Sequence, residues 1–207
     1  MKDQVTHHSS FITHRAKPYQ AVKTVLDVVL GTALLVIFSP AMLVIAVLIR
    51  LDSPGPAIYR QARVGADSKL FTIYKFRTMK AGTPALSTEE MQRKGHAPVT
   101  RVGHFLRRIS LDELPQLLNI AKGQMSFIGP RPALPTQTDV LALRAQLGVD
   151  RTRPGLTGLA QVMGRDDLRV ETKVGYDDEY CRKLSFWMDL RILARTIGAI
   201  ASARGNK

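Results

Sequence analysis

Cysteine is almost absent from this chain of 207 residues, since Cys181 is the only one. A single cysteine excludes an intramolecular disulfide and a thiolate metal cluster, and it fits a reducing compartment. Acidic residues are also scarce: 17 Asp and Glu stand against 30 Lys and Arg, and the formal net charge is +13. This imbalance implies a polyanionic neighbour, which could be nucleic acid, an anionic membrane surface or a phosphorylated substrate.

Several motifs that would explain such a basic chain are missing. The sequence has no helix-turn-helix, zinc-finger or RNA-recognition signature, and aromatic residues make up only 6% of it, so we expect no nucleic-acid partner. It has no G-x-x-x-x-G-K-[ST] loop, which argues against ATP hydrolysis of the P-loop kind. No Ser/His/Asp or Cys/His arrangement indicates a nucleophile of those types either.

Charge is nearly missing from one stretch near the N-terminus, Val25 to Ile49, in which Asp27 is the only charged residue. A secretory signal would be shorter and would be followed by a small-residue cleavage site, so we interpret the stretch as retained. A continuous helix of this length would measure roughly 37 Å, enough to cross a hydrocarbon core of about 30 Å. One kinked spanning helix is therefore the simplest interpretation.

Two features favour a re-entrant hairpin instead. Pro40 follows Ser39 inside the stretch, and a proline there lacks an N–H and clashes with the carbonyl of Val36, which should break or bend the helix. The Ser39 hydroxyl could satisfy a freed carbonyl. Both flanks are basic, so the positive-inside rule assigns both ends to the cytoplasm. We predict a helix-break-helix over residues 19–50 that enters and leaves the membrane by the same face.

The remaining sequence predicts a polar tail over residues 1–18 and a cytoplasmic domain over residues 51–207 with membrane-interface helices. The amphipathic segment around Phe186 and Trp187 could be one of these or a plain core helix. The alternation from Lys69 to Met79 predicts a short strand. Helical spacing and stop signals predict helices over residues 100–109, 111–123, 138–147, 172–184 and 185–201, and a short one from Ser87. The predicted fold class is α+β and mostly helical: a re-entrant membrane hairpin, then short helices, a short strand region and Gly/Pro loops.

The stretch RRISLDELPQ places two adjacent carboxylates after two arginines. Ser110 and Glu113 fit a capping box, in which each side chain would bond the backbone N–H of the other. Alternatively, Asp112 attacks a phosphorus atom, which needs cations to neutralise the phosphates and a divalent metal, usually magnesium, to bridge oxygens. Glu113 could then share the metal or act as a base. The ten residues alone favour the cap.

Cations concentrate in segments that lack clear helical periodicity. Glycine- and proline-rich loops that carry arginines can bind phosphates, because backbone N–H groups and guanidinium forks both match phosphate oxygens. A solvated basic face is the alternative for any single one of these residues. The cations in such segments are Lys75, Arg77, Lys80, Arg131, Arg151, Arg153 and Arg165.

Five motifs occur in order along the chain: Ser39-Pro40 in the apolar stretch, YKFRTM, SLDELPQLLNIAKGQMSFIGPRP, RPGLTGLAQVMGR and DLRIL. Together they resemble the monotopic phosphoglycosyl transferases, also called bacterial sugar transferases, over residues 19–196. LDELPQ, MSFIGPRP and RPGLTG, in that order, carry most of the resemblance.

The resemblance implies an enzyme of the bacterial inner membrane, with its domain on the cytoplasmic face, that initiates glycoconjugate assembly. It would pass a phosphosugar from a nucleoside diphosphate sugar, usually a UDP-sugar, to undecaprenyl phosphate. Asp112 would be the nucleophile that holds a covalent phosphosugar, and Glu113 would help with proton handling or, together with Asp112, with Mg²⁺. The cations expected to contact phosphates are Lys75, Arg77 and Arg131, followed by Arg153 and Arg165.

Two other functions stay open on the sequence. A membrane-tethered module could bind anionic lipid or nucleic acid through a basic face without catalysis, and its binding would be salt-sensitive and independent of Asp112. A phosphatase or nucleotide hydrolase would release product without a lipid acceptor. The sequence leaves the sugar, the nucleotide base and the formation of a homodimer undecided.

Overall fold

The computed structural model describes residues 17–83, 99–164 and 168–201. Within these ranges it contains seven α-helices and two two-stranded sheets, so the prediction of a mostly helical α+β fold is confirmed. Nearly all of the predicted tail, residues 1–18, lies outside the described residues, and so does the helix predicted from Ser87.

A long apolar helix opens the described chain. Helix α1 covers Lys17–Asp52, close to the predicted range 19–50. The helical backbone continues through Ser39 and Pro40, where the sequence predicts a break. The Ser39 hydroxyl donates to the Val36 carbonyl at 2.8 Å and so replaces the N–H that Pro40 lacks, as expected. The re-entrant path stays a prediction.

One face of α1 packs against the rest of the protein along the whole helix. Near its start, Tyr19 Oη donates to Asp189 Oδ2 at 2.7 Å, and Lys23 Nζ lies 2.8 Å from the same oxygen. At its end, Asp52 Oδ2 accepts from Val102 N at 3.0 Å. Between these ends the contact residues recur with the spacing of a single helical face. They are Asp27, Gly31, Leu34, Leu35, Met42, Ile45, Ala46 and Ile49.

The opposite face of α1 is apolar and exposed. The most apolar part of the helix has a mean hydropathy of 2.7 and is only 6% buried, unlike the core helix of a soluble protein. By length and composition the helix could cross a membrane. Its exposed side chains include Val25, Val29, Val36, Ile37, Leu43 and Leu51.

An antiparallel hairpin follows α1. Strand β1 (Ile58–Val64) pairs with strand β2 (Leu70–Phe76), and Tyr59 lies opposite Lys75. Strand β2 is the predicted strand. Strand β1 was not predicted, because the prolines and glycines around it indicate turns. Ile73 is buried on β2 and shares a strand face with Lys75, so the core fixes the direction of that lysine.

Three short helical segments connect this hairpin to the next motif. Helix α2 covers Arg101–Arg108, as its spacing predicts. A 3-10 helix over Leu111–Gln116 then leads into helix α3, Leu117–Ala121. The sequence predicts one helix across both. Pro115 lacks the N–H that an α-helical bond to the fourth preceding carbonyl requires, which favours the different winding.

A parallel pair of short strands joins the two glycine-rich motifs. Strand β3 (Ser126–Ile128) pairs with strand β4 (Gly155–Thr157), and helix α4 (Thr138–Leu147) lies in the crossover between them. A Cβ atom at Gly155 would lie 2.1 Å from the backbone nitrogen of Gly129. The sequence predicts loops here, and the glycines are needed because no side chain fits between these backbones.

Three helices complete the described chain: α5 (Leu159–Met163), α6 (Val170–Arg182) and α7 (Phe186–Ala201). Helices α6 and α7 match the predicted ones, whereas α5 lies in a segment that the sequence presents as irregular. Phe186 and Trp187 are exposed at the start of α7, so these two side chains are not part of the core. The core beneath it consists of Ile128, Val149, Leu159, Tyr180, Cys181, Met188 and Ile192.

Asn119 on α3 makes hydrogen bonds to the backbone of β2 that a neighbouring strand would otherwise make. It is fully buried, it accepts from Tyr74 N at 3.2 Å, and it donates to Thr72 O at 2.7 Å and Gln124 Oε1 at 2.9 Å. We expect Asn119→Ala to lower the free energy of unfolding by about 2–3 kcal/mol, because buried polar groups lose their partners. Denaturant unfolding in detergent micelles measures this loss.

Lys183→Ala is the matched control, because it removes an exposed ion pair with Glu179. It should change the free energy of unfolding by less than about 1 kcal/mol. Equal losses in the two variants would contradict the role given to Asn119.

Candidate active site

The 3-10 helix presents Asp112 and Glu113, here called the dyad, beside strand β2. Lys75 Nζ lies 2.6 Å from Glu113 Oε1, and Arg131 Nη1 approaches the same oxygen to 3.7 Å. The Lys75 and Glu113 side chains are each 19% exposed, whereas Arg131 is 41% exposed. Lys75 and Arg131 therefore meet at one carboxylate, although they lie 38 and 18 residues from Glu113 along the chain.

The capping box predicted for Ser110 is wrong. Ser110 has φ 58° and ψ 22°, in the left-handed region, and its side chain makes no capping hydrogen bond. A capping serine has an extended backbone, from which its hydroxyl can reach the first turn. Glu113 N instead donates to the backbone carbonyl of Ser110 at 3.3 Å. The Glu113 carboxylate binds Lys75, so it serves the site and does not cap the helix.

The electrostatics of the site keep Glu113 ionised. Burial by itself would raise the pKa of Glu113, but the positive charges of Lys75 and Arg131 outweigh burial and lower that pKa to about 2. An opposite charge at hydrogen-bond distance favours the charged form. Glu113 is therefore an anion at any pH well above 2.

The pKa of Asp112 is shifted in the opposite direction. Burial raises it, the Glu113 anion raises it further, and Lys75 and Arg107 oppose the rise. Two adjacent carboxylates thus differ in basicity, which is how one fold assigns them different tasks. A more basic carboxylate is the stronger nucleophile, so Asp112 is the candidate nucleophile of the two, and Glu113 is the fixed negative charge.

Two residues near the dyad were not singled out from the sequence. Arg107 on α2 donates through Nε to Thr78 Oγ1 at 2.9 Å, and its charge acts on Asp112. Gln116 is 2% exposed, and its side-chain amide faces the Glu113 carboxylate, whose pKa it helps to lower. Because a 3-10 helix repeats every three residues, Gln116 lies on the same side as Glu113. Their positions in the sequence, close to the dyad on either side, could have indicated that both residues belong to the site.

Arg77 binds the turn that follows α1. Its guanidinium donates to Ser53 O at 2.6 Å, to Ser53 Oγ at 2.8 Å and to Pro54 O at 2.9 Å. A Cβ atom at Gly55, whose φ is 116°, would lie 2.3 Å from Arg77 Nη1. These contacts fix the turn between α1 and β1. The structure does not bring Arg77 together with the dyad, and its contact with phosphate stays a prediction.

Arg153 lies beside the apolar helix. Its Nη2 is 2.8 Å from Thr24 Oγ1 and 3.3 Å from Asp27 Oδ2, and its side chain is 15% exposed. The arginine therefore attaches the segment before β4 to α1, and the structure does not bring it together with the dyad. Arg165 lies outside the described residues.

The dyad supplies two of the hard oxygen donors that Mg²⁺ prefers. Within the described ranges, no group of three or more His, Cys, Asp or Glu side chains is placed to hold a metal ion. Mg²⁺ is commonly bound by one or two carboxylates together with substrate phosphates and water. The residues present thus fit a magnesium ion that binds with a diphosphate substrate.

Comparison with known proteins agrees with the sequence motifs. A family described as bacterial sugar transferase matches residues 18–203. UDP-glucose:undecaprenyl-phosphate glucose-1-phosphate transferase of Caulobacter vibrioides is 43% identical over 188 residues, which cover 86% of this chain and 69% of the relative.

Two further relatives differ in length. UDP-N-acetylgalactosamine-undecaprenyl-phosphate N-acetylgalactosaminephosphotransferase of Aeromonas hydrophila is 39% identical over 196 residues, 91% of this chain and 46% of the relative. Exopolysaccharide production protein ExoY of Rhizobium meliloti is 37% identical over 196 residues, 87% of this chain and 85% of the relative. The chain therefore spans less than half of the Aeromonas relative and most of the Rhizobium one. It belongs to the bacterial sugar transferase family, a family of phosphoglycosyl transferases.

Proposed function

We propose that this chain transfers a sugar phosphate from a UDP-sugar to undecaprenyl phosphate, as the first membrane step of glycoconjugate assembly. The Caulobacter and Aeromonas relatives are named for that reaction with two different sugars, so the proposal does not specify the sugar. The observation that carries the proposal is the dyad: a basic carboxylate beside a fixed anion, with Lys75 and Arg131 at the same place.

The reaction follows from these charges. A carboxylate oxygen of Asp112 attacks the phosphorus that carries the sugar, and the bond from that phosphorus to the bridging oxygen breaks. UMP leaves with the electron pair, and an aspartyl phosphosugar remains. A phosphate oxygen of undecaprenyl phosphate then attacks the same phosphorus and releases the Asp112 carboxylate.

The cations of the site neutralise phosphate charge during both steps. Lys75 and Arg131 approach Glu113 from two different segments of the chain, so a diphosphate bound beside the dyad would meet both. Mg²⁺, held by Asp112 and Glu113 together with the substrate, would supply further charge neutralisation on the leaving group. Glu113 provides the negative charge that keeps these cations beside Asp112.

The active site lies on the cytoplasmic face of the inner membrane in this proposal. The same domain binds α1 on both sides of Ser39-Pro40: Asp189 contacts Lys23, and Val102 contacts Asp52. A straight helix of this length would measure about 54 Å, against a hydrocarbon core of about 30 Å. A spanning helix would leave one of these ends without its domain contact, so we infer that α1 is re-entrant.

The nucleophile is tested with protein in nanodiscs that contain undecaprenyl phosphate, supplied with a panel of UDP-sugars and MgCl₂. We expect Asp112→Asn to lower the rate of UMP release by at least about 1,000-fold, because the amide cannot replace the carboxylate as nucleophile. Intact-protein mass spectrometry should find one sugar phosphate on the wild-type chain and none on the variant.

Asp139→Asn is the matched control, since Asp139 is exposed on α4. It should release UMP at the wild-type rate. Full activity of Asp112→Asn would refute the mechanism. Repeated UMP release without undecaprenyl phosphate would indicate a hydrolase, and salt-sensitive lipid binding without any UMP release would indicate a binding module.

We expect the positive charge of Lys75 to keep the enzyme active at lower pH. Removing its charge lets the pKa of Asp112 rise further, since Lys75 opposes that rise. The nucleophile acts as an anion, so the acid limb of kcat/KM against pH should move to higher pH in Lys75→Met. Lys69→Met, at a solvent-exposed position, should leave the limb unchanged, and an unmoved limb in Lys75→Met would refute this role.

Topology is tested by cysteine labelling in a Cys181→Ser background. Ala21→Cys and Pro56→Cys lie at exposed positions near the two ends of α1. We expect an impermeant maleimide to label both only after spheroplasts are lysed, because both ends are cytoplasmic. Leu70→Cys, at a position 67% exposed on the domain, is the control for labelling on the cytoplasmic face. Labelling of either end in intact spheroplasts would show that α1 spans the membrane.

A further inference from the structure

The loop Pro130–Ala133, which carries Arg131, is held by its own carbonyl groups. Two of them accept hydrogen bonds from backbone donors: Pro130 O accepts from Gly155 N at 2.9 Å, and Ala133 O accepts from Val64 N at 3.0 Å. These bonds attach the two ends of the loop to β4 and to β1.

The two central carbonyls accept hydrogen bonds from arginine side chains. Arg131 O accepts from Arg144 Nη1 at 2.9 Å, and Pro132 O accepts from Arg63 Nη1 at 3.1 Å. Four consecutive carbonyls are thus bound from outside the loop. Two of the four residues are prolines, which have no N–H to donate to a neighbouring carbonyl. Arginine side chains supply the donors that the local backbone lacks.

Arg144 is itself fixed by a buried partner. Its Nε and Nη2 lie 3.0 Å and 2.6 Å from Asp177 Oδ2, and the two residues are 7% and 1% exposed. Arg144 comes from α4 and Asp177 from α6, so the guanidinium links both helices to the loop. A buried ion pair of this kind is weak evidence for stability, because its desolvation offsets the attraction. Its third hydrogen bond, to Arg131 O, points to a task at the loop.

We propose that Arg144, oriented by Asp177, is a positioning residue for the transfer reaction. It fixes the backbone of Arg131, so that the Arg131 guanidinium stays beside Glu113 and meets the substrate phosphates there. Arg144 acts through Arg131 and does not touch the substrate. This inference rests on the proposed transferase function, because the reaction it would affect is that one.

The test replaces the whole pair, since removing Arg144 alone would leave Asp177 buried without a partner. Arg144→Met with Asp177→Leu fills the space of the ion pair with apolar side chains and removes the hydrogen bond to Arg131 O. Proteins in which a buried ion pair is replaced in this way commonly fold. We expect the kcat/KM of this double variant to fall between about 10-fold and about 100-fold, as when a catalytic cation is displaced by about 1 Å. Its unfolding midpoint should stay close to that of the wild type.

A double-mutant cycle separates positioning from general damage. In an Arg131→Met background the Arg144→Met, Asp177→Leu pair should have no further effect beyond about twofold, because Arg144 acts through Arg131. An equal loss in both backgrounds would overturn the proposal. Arg144→Lys keeps the positive charge on a single donor nitrogen and loses the planar fork, so it should retain part of the activity.

Arg182→Met is the matched control. It removes a solvent-facing ion pair with Asp178, the residue next to Asp177, and it should leave kcat/KM unchanged. A loss as large as that of the buried-pair variant would overturn the proposal.

Hydrogen exchange gives a readout that needs no activity. Peptides covering residues 127–137 should exchange faster in the Arg144→Met, Asp177→Leu protein and at the wild-type rate in Arg182→Met. Unchanged exchange would show that Arg144 does not fix the loop and would overturn the proposal. If wild-type protein released no UMP from any UDP-sugar, the proposed function would fail instead, and the exchange result would still decide whether Arg144 fixes the loop.

Discussion

The contact between one face of α1 and the rest of the chain is the constraint on which the other features depend. Polar pairs hold the start and the end of the helix, and apolar side chains pack between them. Ile73 and Phe76 on β2 lie in the two clusters that contact the helix. The strand that carries Lys75 is thus attached to α1, so packing sets the distance of the dyad from the membrane in the proposed topology.

Some arginines of this basic chain lie at the candidate active site, and others bind protein groups that hold the fold together. Arg131 reaches the dyad, whereas Arg77, Arg144 and Arg153 are buried or nearly so and bind carbonyls, hydroxyls or carboxylates of the protein. A guanidinium suits both tasks, because its fork of donors can satisfy several oxygens at once. The net charge of +13 therefore overstates the charge available to substrate.

Much of the fold could be predicted because long periodic segments carry their own signal. Helices α2 and α7 and strand β2 have such periodicity. Strands β3 and β4 are three residues each and lie among glycines and prolines, so no local pattern distinguishes them from loops. The close approach of Gly129 and Gly155 that defines them is a contact between distant segments. The same limit applies to Ser110, whose left-handed backbone contradicts its capping sequence.

The sequence by itself determined the family, an apolar segment interrupted by Ser39-Pro40, and a pair of carboxylates at Asp112 and Glu113, because these are properties of order and composition. Only the tertiary structure decided which carboxylate is the fixed anion and which arginines serve the dyad. The physical reason is that a pKa and a hydrogen-bond partner depend on distance and burial. Those are set by Lys75 and by the loop of Arg131, which lie far from the dyad along the chain.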